Sequence, residues 1–328
     1  MFTLAHMSDL HIGPLPAPHR LELVNKRLFG YINWHNSRKD IHCRPTLDRL
    51  ALDLQHAHPD HIVITGDLVN IGMNEEYIQA QKWLEKLGSG DLVSVVPGNH
   101  DVYVPLIKKK RGIGHWSAFM TNDSNEHHIH KSTRSGFPYV RRRGNVAIIG
   151  LSSAIPTMPL VAAGRLGANQ RKKLLEILLT LGEEKLFRVV LIHHPPMSLA
   201  GNWVRGLRDA QELRRIFLRA GAELILHGHD HTHKIRAMKG PNGSIPVVGI
   251  PSASVSNHPH KPLARYNLYH IERRSKGWNC QMTGRGLEGA SGKVQTLCQL
   301  DLSAYVQNNS VFSLKWKNSS CCDNQAAD

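Results

Sequence analysis

Short apolar runs alternate along this chain with segments whose apolar residues recur at a spacing of three and four. The runs predict seven strands, at residues 2–7, 61–65, 92–96, 146–151, 188–192, 223–226 and 247–250. The helical spacing predicts helices at 46–57, 75–87, 169–181 and 209–220. Several runs are continuous in Val, Ile and Leu, which is typical of strands that are covered on both faces. The alternation therefore predicts a layered α/β domain and argues against a helical bundle or a β-sandwich.

Composition limits the class of protein and the kind of partner. Of the 328 residues, 41% are hydrophobic and 20% are charged, which is typical of a folded globular chain and excludes a disordered or collagen-like one. The formal net charge of +15 indicates an anionic partner. Nucleic acid, a phosphorylated metabolite and an acidic membrane surface all satisfy that charge, so the partner stays open at this point.

The cysteines constrain any metal site. The chain has five of them, an odd number, with no paired CxxC spacing. This pattern argues against a disulfide framework and against a thiolate zinc site. A metal ion in this protein must therefore be held by nitrogen and oxygen atoms. The sequence also lacks an apolar run of about 18 residues and the pattern of a secretory signal, so we expect a cytoplasmic protein.

Polar side chains cluster where five of the predicted strands end. They are Asp9, His11, Asp67, Asn99, His100, Asp101, His193, His229 and His231. In open α/β sheets, ligands bind beyond the carboxyl ends of the strands, so these residues indicate a single site. Carboxylate, imidazole and amide groups without a thiolate suit two divalent ions such as Mn²⁺, Fe²⁺ or Zn²⁺. A pair of such ions activates water and binds the oxygens of a reacting phosphate.

Five motifs in this sequence resemble those of the calcineurin-like metallophosphoesterase superfamily, in the same order. They read Asp9-Leu10-His11, Gly66-Asp67, Gly98-Asn99-His100-Asp101, His193-His194-Pro195 and Gly228-His229-Asp230-His231. The resemblance implies an α/β fold in four layers, an α-β-β-α sandwich of two mixed sheets flanked by helices. It also implies a metal-dependent phosphoester hydrolase with a small phosphoester as substrate.

The resemblance assigns the metal ligands position by position. The expected ligands are Asp9, His11 and His231 for the first ion, Asn99, His193 and His229 for the second, and Asp67 as the bridge between them. The ions implied are Mn²⁺, Fe²⁺/Fe³⁺ or Zn²⁺, because this type of ligand set accepts several metals. His100 is expected to lie beside the substrate phosphate, as proton donor to the leaving oxygen or as a charge stabiliser. Asp101 is expected to orient His100 and support its charge.

The residues of these motifs are similar to those of the class III cyclic-nucleotide phosphodiesterases and their glycerophosphodiesterase relatives. This similarity predicts hydrolysis of a small phosphodiester by attack of a metal-bound hydroxide. An alternative comes from residues 26–33, which resemble an insertion in bacterial metallophosphoesterases that cleave the diphosphate of UDP-2,3-diacylglucosamine during lipid A synthesis. An alternative of another class is a non-catalytic scaffold that binds protein partners.

A basic insertion at about 14–45 separates the first motif from the helix predicted at 46–57. Its apolar residues fall on one helical face, with Lys and Arg among and just beyond them. This pattern predicts a basic amphipathic helix, through which residues 21–36 contact a membrane peripherally. The alternatives are a helix that packs on the core or across a homodimer interface.

The motifs lie within a catalytic domain that we place at 1–285. Residues 286–328 are polar and rich in Ser, Asn and Gln, so we expect a loosely ordered extension, with 311–316 as a candidate edge strand. Two basic runs, 108–111 and 141–143, are typical of solvated loops. They lack interleaved aromatic residues on which bases stack, so nucleic acid is the least favoured partner.

Overall fold

The structure, a computed structural model, describes residues 1–105, 112–123, 136–197, 202–256, 258–275, 277–288 and 292–303. Within these residues, twelve strands form two six-stranded sheets. In chain order the strands are β1 Phe2–Met7, β2 His61–Ile64, β3 Val93–Val95, β4 Tyr139–Arg143, β5 Val146–Gly150, β6 Phe187–Leu191, β7 Leu224–His227, β8 Lys234–Gly240, β9 Gly243–Gly249, β10 Arg265–Arg274, β11 Gly277–Leu287 and β12 Val294–Asp301. The α-helices are α1 Arg27–Asn33, α2 Arg44–His56, α3 Asn74–Leu87, α4 Ala168–Glu183 and α5 Ala210–Ala220.

Both sheets are mixed. The first has the order β12-β11-β10-β1-β2-β3, in which β1, β2 and β3 are parallel and β10, β11 and β12 are antiparallel to their neighbours. The second has the order β4-β5-β6-β7-β9-β8, with four parallel strands between the antiparallel edge strands β4 and β8. Because parallel strands end at the same edge of a sheet, the loops that follow β1, β2 and β3 lie together, as do those that follow β6 and β7.

Alternating side chains place helices on the outer face of each sheet. In β5, Val146 and Ile148 belong to a core shared with the first sheet, whereas Ala147 and Ile149 belong to a second core with residues of α4 and α5. Leu50 of α2 and residues of α3 belong to the first core. The layers are therefore α2/α3, first sheet, second sheet and α4/α5. The predicted α-β-β-α sandwich of two mixed sheets is confirmed.

All seven predicted strands and all four predicted helices are present, with bounds that differ by a few residues. The prediction of a loosely ordered extension from residue 286 is wrong for Val294–Asp301, which form β12 at the edge of the first sheet. An edge strand has one side without a neighbour, so polar residues are tolerated there. The candidate strand at 311–316 lies outside the described residues.

The insertion does not form the single amphipathic helix predicted for it. It is divided into a 3₁₀ turn at Arg20–Leu23, the short helix α1 and a π-helical turn at Trp34–Arg38, none of which contains a fully buried residue. Polar contacts fix it to the body of the protein: Lys26 Nζ donates to Thr157 Oγ1 at 2.8 Å, and the guanidinium of Arg27 donates to two backbone carbonyls. Among the described helices, none has the length and apolar character needed to span a membrane.

The basic run 141–143 is not a solvated loop. It lies in β4, where Arg141 is only 3% exposed and donates hydrogen bonds to the backbone carbonyls of Val93 and Ala118. Arg141 therefore stabilises the junction between the sheets and is not accessible to nucleic acid. The run at 108–111 lies outside the described residues.

Candidate metal centre

The predicted ligands lie on loops that follow five strands of both sheets. The loops after β1, β2 and β3 carry Asp9, His11, Asp67 and Asn99, and those after β6 and β7 carry His193, His229 and His231. All seven side chains point into one region at the junction of the sheets, and six of the residues are buried, His231 being partly exposed. The site that the sequence indicated is thus a single region of the molecule.

Four of these side chains form the group expected to hold the second ion. Asn99 Oδ1 lies 3.2 Å from His193 Nε2 and 3.0 Å from His229 Nδ1. His193 Nε2 in turn lies 3.3 Å from Asp67 Oδ2. One oxygen of Asp67 therefore faces the nitrogen and oxygen atoms of the amide–imidazole group.

The group expected to hold the first ion lies on the other side of Asp67. His231 Nε2 is 3.1 Å from Asp9 Oδ1, and His11 Nε2 is 4.0 Å from Asp67 Oδ2. One ligand atom each of Asp9, His11 and Asp67 lie within 4.8 Å of one another. Asp67 Oδ2 therefore lies between the two groups, and its role as a bridge stays a prediction.

Backbone carbonyls fix the tautomers of three of the imidazoles. The pairs are His11 Nδ1 with Val69 O at 3.2 Å, His193 Nδ1 with Thr65 O at 2.6 Å, and His229 Nε2 with Arg205 O at 2.9 Å. A carbonyl only accepts, so the nitrogen that faces it carries the proton. The other nitrogen of each ring then points into the site, which is the usual way in which proteins orient histidine ligands.

These tautomers create a close contact that a cation would stabilise. His229 Nδ1 carries no proton in this arrangement, and Asn99 Oδ1 is an acceptor, yet the two atoms are 3.0 Å apart. Two lone pairs at this distance repel unless a positive charge lies beside them, which is the protonated His193 in the metal-free protein and would be the ion once that proton is displaced. The residues present therefore fit a divalent cation, both in the chemistry of the donors and in their orientation.

The backbone is strained at the same positions. Five of the seven predicted ligands have φ in the left-handed region: Asp9 at 54°, His11 at 42°, Asp67 at 56°, His229 at 70° and His231 at 53°. Such residues cost on the order of 1–3 kcal/mol each and are concentrated at functional sites. Gly228 lets the loop approach the ligands, because a Cβ there would lie 2.4 Å from Asp9 Oδ2 and 2.0 Å from Ser8 Oγ.

Asp67 and His193 form a buried ion pair. Burial raises the pKa of Asp67, but the charge of His193 and the hydrogen bonds from His193 and from the backbone N–H of His100 outweigh it and hold the pKa well below its usual range. Burial lowers the pKa of His193, and the Asp67 carboxylate outweighs burial and raises it to about 10. A metal ligand must be neutral imidazole, so metal binding here displaces the His193 proton.

Asp101 does not orient His100 as the sequence predicted. Its carboxylate accepts hydrogen bonds from four backbone N–H groups, those of Asp67, Leu68, Val69 and Gly98, at 2.8–3.1 Å. Burial and the charge of Asp67 raise the pKa of Asp101 to about 7, against the effect of these N–H groups. Asp101 therefore binds the loop after β2 to the loop after β3, and it positions Asp67 through the backbone.

His100 is oriented by a different group. Its Nδ1 makes a short contact with the backbone carbonyl of Asn70, and its Nε2 lies 3.0 Å from the guanidinium of Arg38. Burial and the charge of Arg38 lower the pKa of His100 to about 4, so the imidazole is neutral at pH 7. Of the pair Arg38 and His100, only Arg38 therefore carries a positive charge at pH 7.

Sequence reasoning missed Arg38 and His42 as site residues. Arg38 Nη2 lies 2.9 Å from His11 Nε2, and the His42 ring centroid lies 4.4 Å from that of His11. An ion bound to His11 would take the lone pair that Arg38 uses, so Arg38 would retain only its contact with His100. Both residues come from the end of the insertion, and their only signal was that a basic, His-containing segment directly follows the first motif.

The fold is a sandwich of two mixed sheets flanked by helices, with the candidate metal centre at the junction of the sheets. The sequence model of the family described as "Calcineurin-like phosphoesterase" matches residues 2–233. The chain belongs to the calcineurin-like phosphoesterase family.

Relatives with assigned names match shorter segments. The chain is 37% identical over 86 residues to a "Probable cyclic nucleotide phosphodiesterase" of Synechococcus sp. (strain WH7803), and the match covers 25% of this chain and 31% of the relative. It is 33% identical over 98 residues to the "Glycerophosphodiester phosphodiesterase GpdQ" of Enterobacter lignolyticus, covering 30% of this chain and 29% of the relative. The matches thus span about a third of the length of these relatives.

A solved structure supports the fold. A dimetal phosphatase from Danio rerio superimposes with a TM-score of 0.56 at 12% sequence identity, over 90% of this chain and 98% of the other. At this identity the similarity concerns the arrangement of strands and helices alone.

Proposed function

We propose that this protein is a two-metal phosphodiesterase that hydrolyses a small phosphodiester of the cyclic-nucleotide or glycerophosphodiester type. The observation that carries the proposal is the pair of ligand groups that share Asp67 Oδ2, with Arg38 beside them. The two curated relatives are named for these two classes of diester, which favours a diester over a monoester substrate. When bound, two divalent ions lower the pKa of water and bind the oxygens of a displacement at phosphorus.

The residues of this chain supply the other requirements of the reaction. Arg38 is positioned to bind a nonbridging phosphate oxygen through N–H groups released from His11, which places a positive charge where the transition state gains negative charge. The neutral imidazole of His100 accepts from Arg38 and thereby holds the guanidinium in place. A bound phosphate anion would raise the pKa of His100, and only then can His100 donate a proton to the leaving oxygen.

The test is a substrate panel on the purified protein supplied with Mn²⁺. We expect hydrolysis of bis-p-nitrophenyl phosphate and of cyclic AMP or glycerophosphodiesters, and less hydrolysis of p-nitrophenyl phosphate. Asp67→Ala is expected to bind neither ion at wild-type affinity and to lose turnover. Turnover retained by an Asp67→Ala protein without bound metal would disprove the two-metal reaction. A metal-loaded wild type that hydrolyses no phosphoester would favour the scaffold alternative.

A lipid-linked diphosphate is a second candidate substrate, and one surface favours it. Six exposed apolar residues on three neighbouring segments form what we call the apolar rim: Leu21, Val24, Met158, Leu160, Trp203 and Val204. Trp203 is 70% and Leu160 88% exposed. The segments are joined by the Lys26–Thr157 contact and by the bond from Ala162 N to Val204 O.

The apolar rim adjoins the metal centre. The backbone carbonyl of Arg205, next to Val204, accepts from His229 Nε2, and the backbone carbonyl of Ala162 accepts from His194 Nε2 at 3.0 Å. Exposed apolar residues flanked by Arg205 and Arg20 suit acyl chains attached to an anionic headgroup, at a membrane surface. Trp203→Ser with Leu160→Ser should then lower kcat/KM for UDP-2,3-diacylglucosamine and leave that for bis-p-nitrophenyl phosphate unchanged. An equal effect on both substrates would exclude a role of the rim in lipid recognition.

A further inference from the structure

His42 lies beside the group expected to hold the first ion, at the position where the insertion meets α2. It is 7% exposed, and its ring centroid is 4.4 Å from that of His11 and 6.0 Å from that of His231. One ring nitrogen each of His11, His42 and His231 lie within 4.8 Å of one another. Three imidazoles and the Asp9 carboxylate therefore surround the same small volume.

A chain of hydroxyl groups fixes the tautomer of His42. Ser252 Oγ donates to the backbone carbonyl of Asp9 at 2.6 Å, because a carbonyl has no proton to give. Ser252 therefore has no second proton to donate, and Ser252 Oγ must accept in its 3.2 Å contact with Ser254 Oγ. That contact uses the hydroxyl proton of Ser254. Ser254 Oγ is then an acceptor for His42 Nδ1, which lies 2.7 Å away.

It follows that Nδ1 of His42 carries the proton and that Nε2 has a free lone pair. This is the arrangement found for His11, His193 and His229, in each of which one ring nitrogen donates to the surrounding protein. The serine chain also ends on the backbone carbonyl of Asp9, so the position of His42 is fixed relative to Asp9, a predicted ligand.

The backbone around His42 is fixed as well. Cys43 N donates to Ser254 O at 2.8 Å, and His42 forms an isolated antiparallel bridge with Val255. The ring is therefore held from both its main chain and its Nδ1. A histidine that only filled space in the core would need neither the serine chain nor a ring nitrogen within 4.8 Å of ring nitrogens of His11 and His231.

We propose that His42 is an additional nitrogen ligand of the first metal ion, beside Asp9, His11 and His231. Nothing in the five motifs includes this position, which enters the site from the insertion. A third imidazole makes the first group richer in nitrogen than the second, which contains the Asn99 amide. Nitrogen-rich sites favour Zn²⁺, Fe²⁺ and Co²⁺ over the harder Mn²⁺, so the two groups should differ in metal preference.

The test measures metal binding and does not depend on turnover. His42→Ala and His42→Gln are titrated with Mn²⁺ and with Co²⁺ alone, and the number of ions bound is determined by mass spectrometry after dialysis. We expect one of the two ions to bind at least about 100-fold more weakly, because loss of a group that only supports a ligand already costs about 10- to 100-fold. We also expect the visible absorption of Co²⁺ to change, because it depends on the number of imidazole ligands. Ser254→Ala should shift affinity in the same direction by less.

The matched control is His61→Ala. His61 is a fully buried histidine whose Nε2 lies 2.7 Å from Ser94 Oγ, on β2 outside the metal centre. It should lower the free energy of unfolding and leave metal affinity and the Co²⁺ spectrum unchanged. Wild-type affinity and an unchanged spectrum in both His42 variants would overturn the proposal, as would equal loss of metal in the His61 variant. Failure of the wild type to hydrolyse phosphodiesters would refute the proposed function without affecting this result.

Discussion

Asp101→Asn tests whether Asp101 is a structural residue or part of the catalytic group that the motif implied. The carboxylate is fully buried, with Oδ2 accepting from the N–H groups of Asp67 and Gly98 and Oδ1 from those of Leu68 and Val69. In asparagine, one of the two oxygens becomes an amide nitrogen that faces two N–H donors. Two buried N–H groups are therefore left without an acceptor.

The size of the effect follows from this count. A buried N–H group left without an acceptor costs on the order of 1–3 kcal/mol, so the variant should lose about 2–6 kcal/mol of unfolding free energy. This is a large part of the total stability of a typical domain. The loop that carries Asp67 is released by the same change, so metal affinity should also fall.

The assay is urea denaturation of the metal-free protein at pH 7.5, followed by measurement of Mn²⁺ bound and of kcat after reloading. Asp60→Asn is the control, because Asp60 is exposed and accepts one bond, from Thr3 N at 2.7 Å. We expect it to change stability by less than about 1 kcal/mol. An Asp101→Asn protein as stable as the wild type but with a lowered kcat would refute the structural role and restore the catalytic one.

Three further predictions concern other parts of the molecule. Gly228→Ala should weaken metal binding about 10-fold or more, measured by Mn²⁺ titration, because its Cβ would meet Asp9 Oδ2 at 2.4 Å. Arg38→Gln should lower kcat for bis-p-nitrophenyl phosphate by about 10²–10³ with both ions retained, and loss of an ion instead would show that Arg38 supports the ligands. At Asp53, burial raises the pKa, but hydrogen bonds from Arg285 and Tyr266 outweigh it and lower the pKa below 3.8. The contribution of Asp53 to stability is thus full above about pH 4 and lost as the pH falls through the folded pKa, so thermal melts from pH 6 to pH 3 should show a smaller loss for Asp53→Asn than for the wild type.

The positions of the motif residues were predictable because they depend on short-range sequence. A parallel strand ends where its apolar run ends, and residues directly after it, such as Asp9 and Asp67, must lie at that edge of the sheet. The direction in which each side chain points was not predictable in this way. Asp101 stands beside His100 in the sequence, but its carboxylate points to the N–H groups of residues 67–69, a contact that only the folded loops create.

The residues that sequence reasoning missed come from segments without strong periodicity. Arg38 and His42 reach the centre because the insertion folds back over it, and their place depends on contacts with residues 71–72, 157 and 254 that are far along the chain. Strands β10 to β12 were missed because polar residues interrupt their apolar ones, so they lack the continuous Val, Ile and Leu runs by which the other strands were recognised.

The predicted ligands are divided between the two sheets, four on the first and three on the second. Ions bound there would cross-link the two halves of the sandwich at the one edge where loops of both meet. Removing them with a chelator should then increase amide hydrogen exchange on both sides of the junction, in the loops after β1 and β2 and in those after β6 and β7. Metal supply would then govern how tightly the two halves are joined as well as the rate of the proposed reaction.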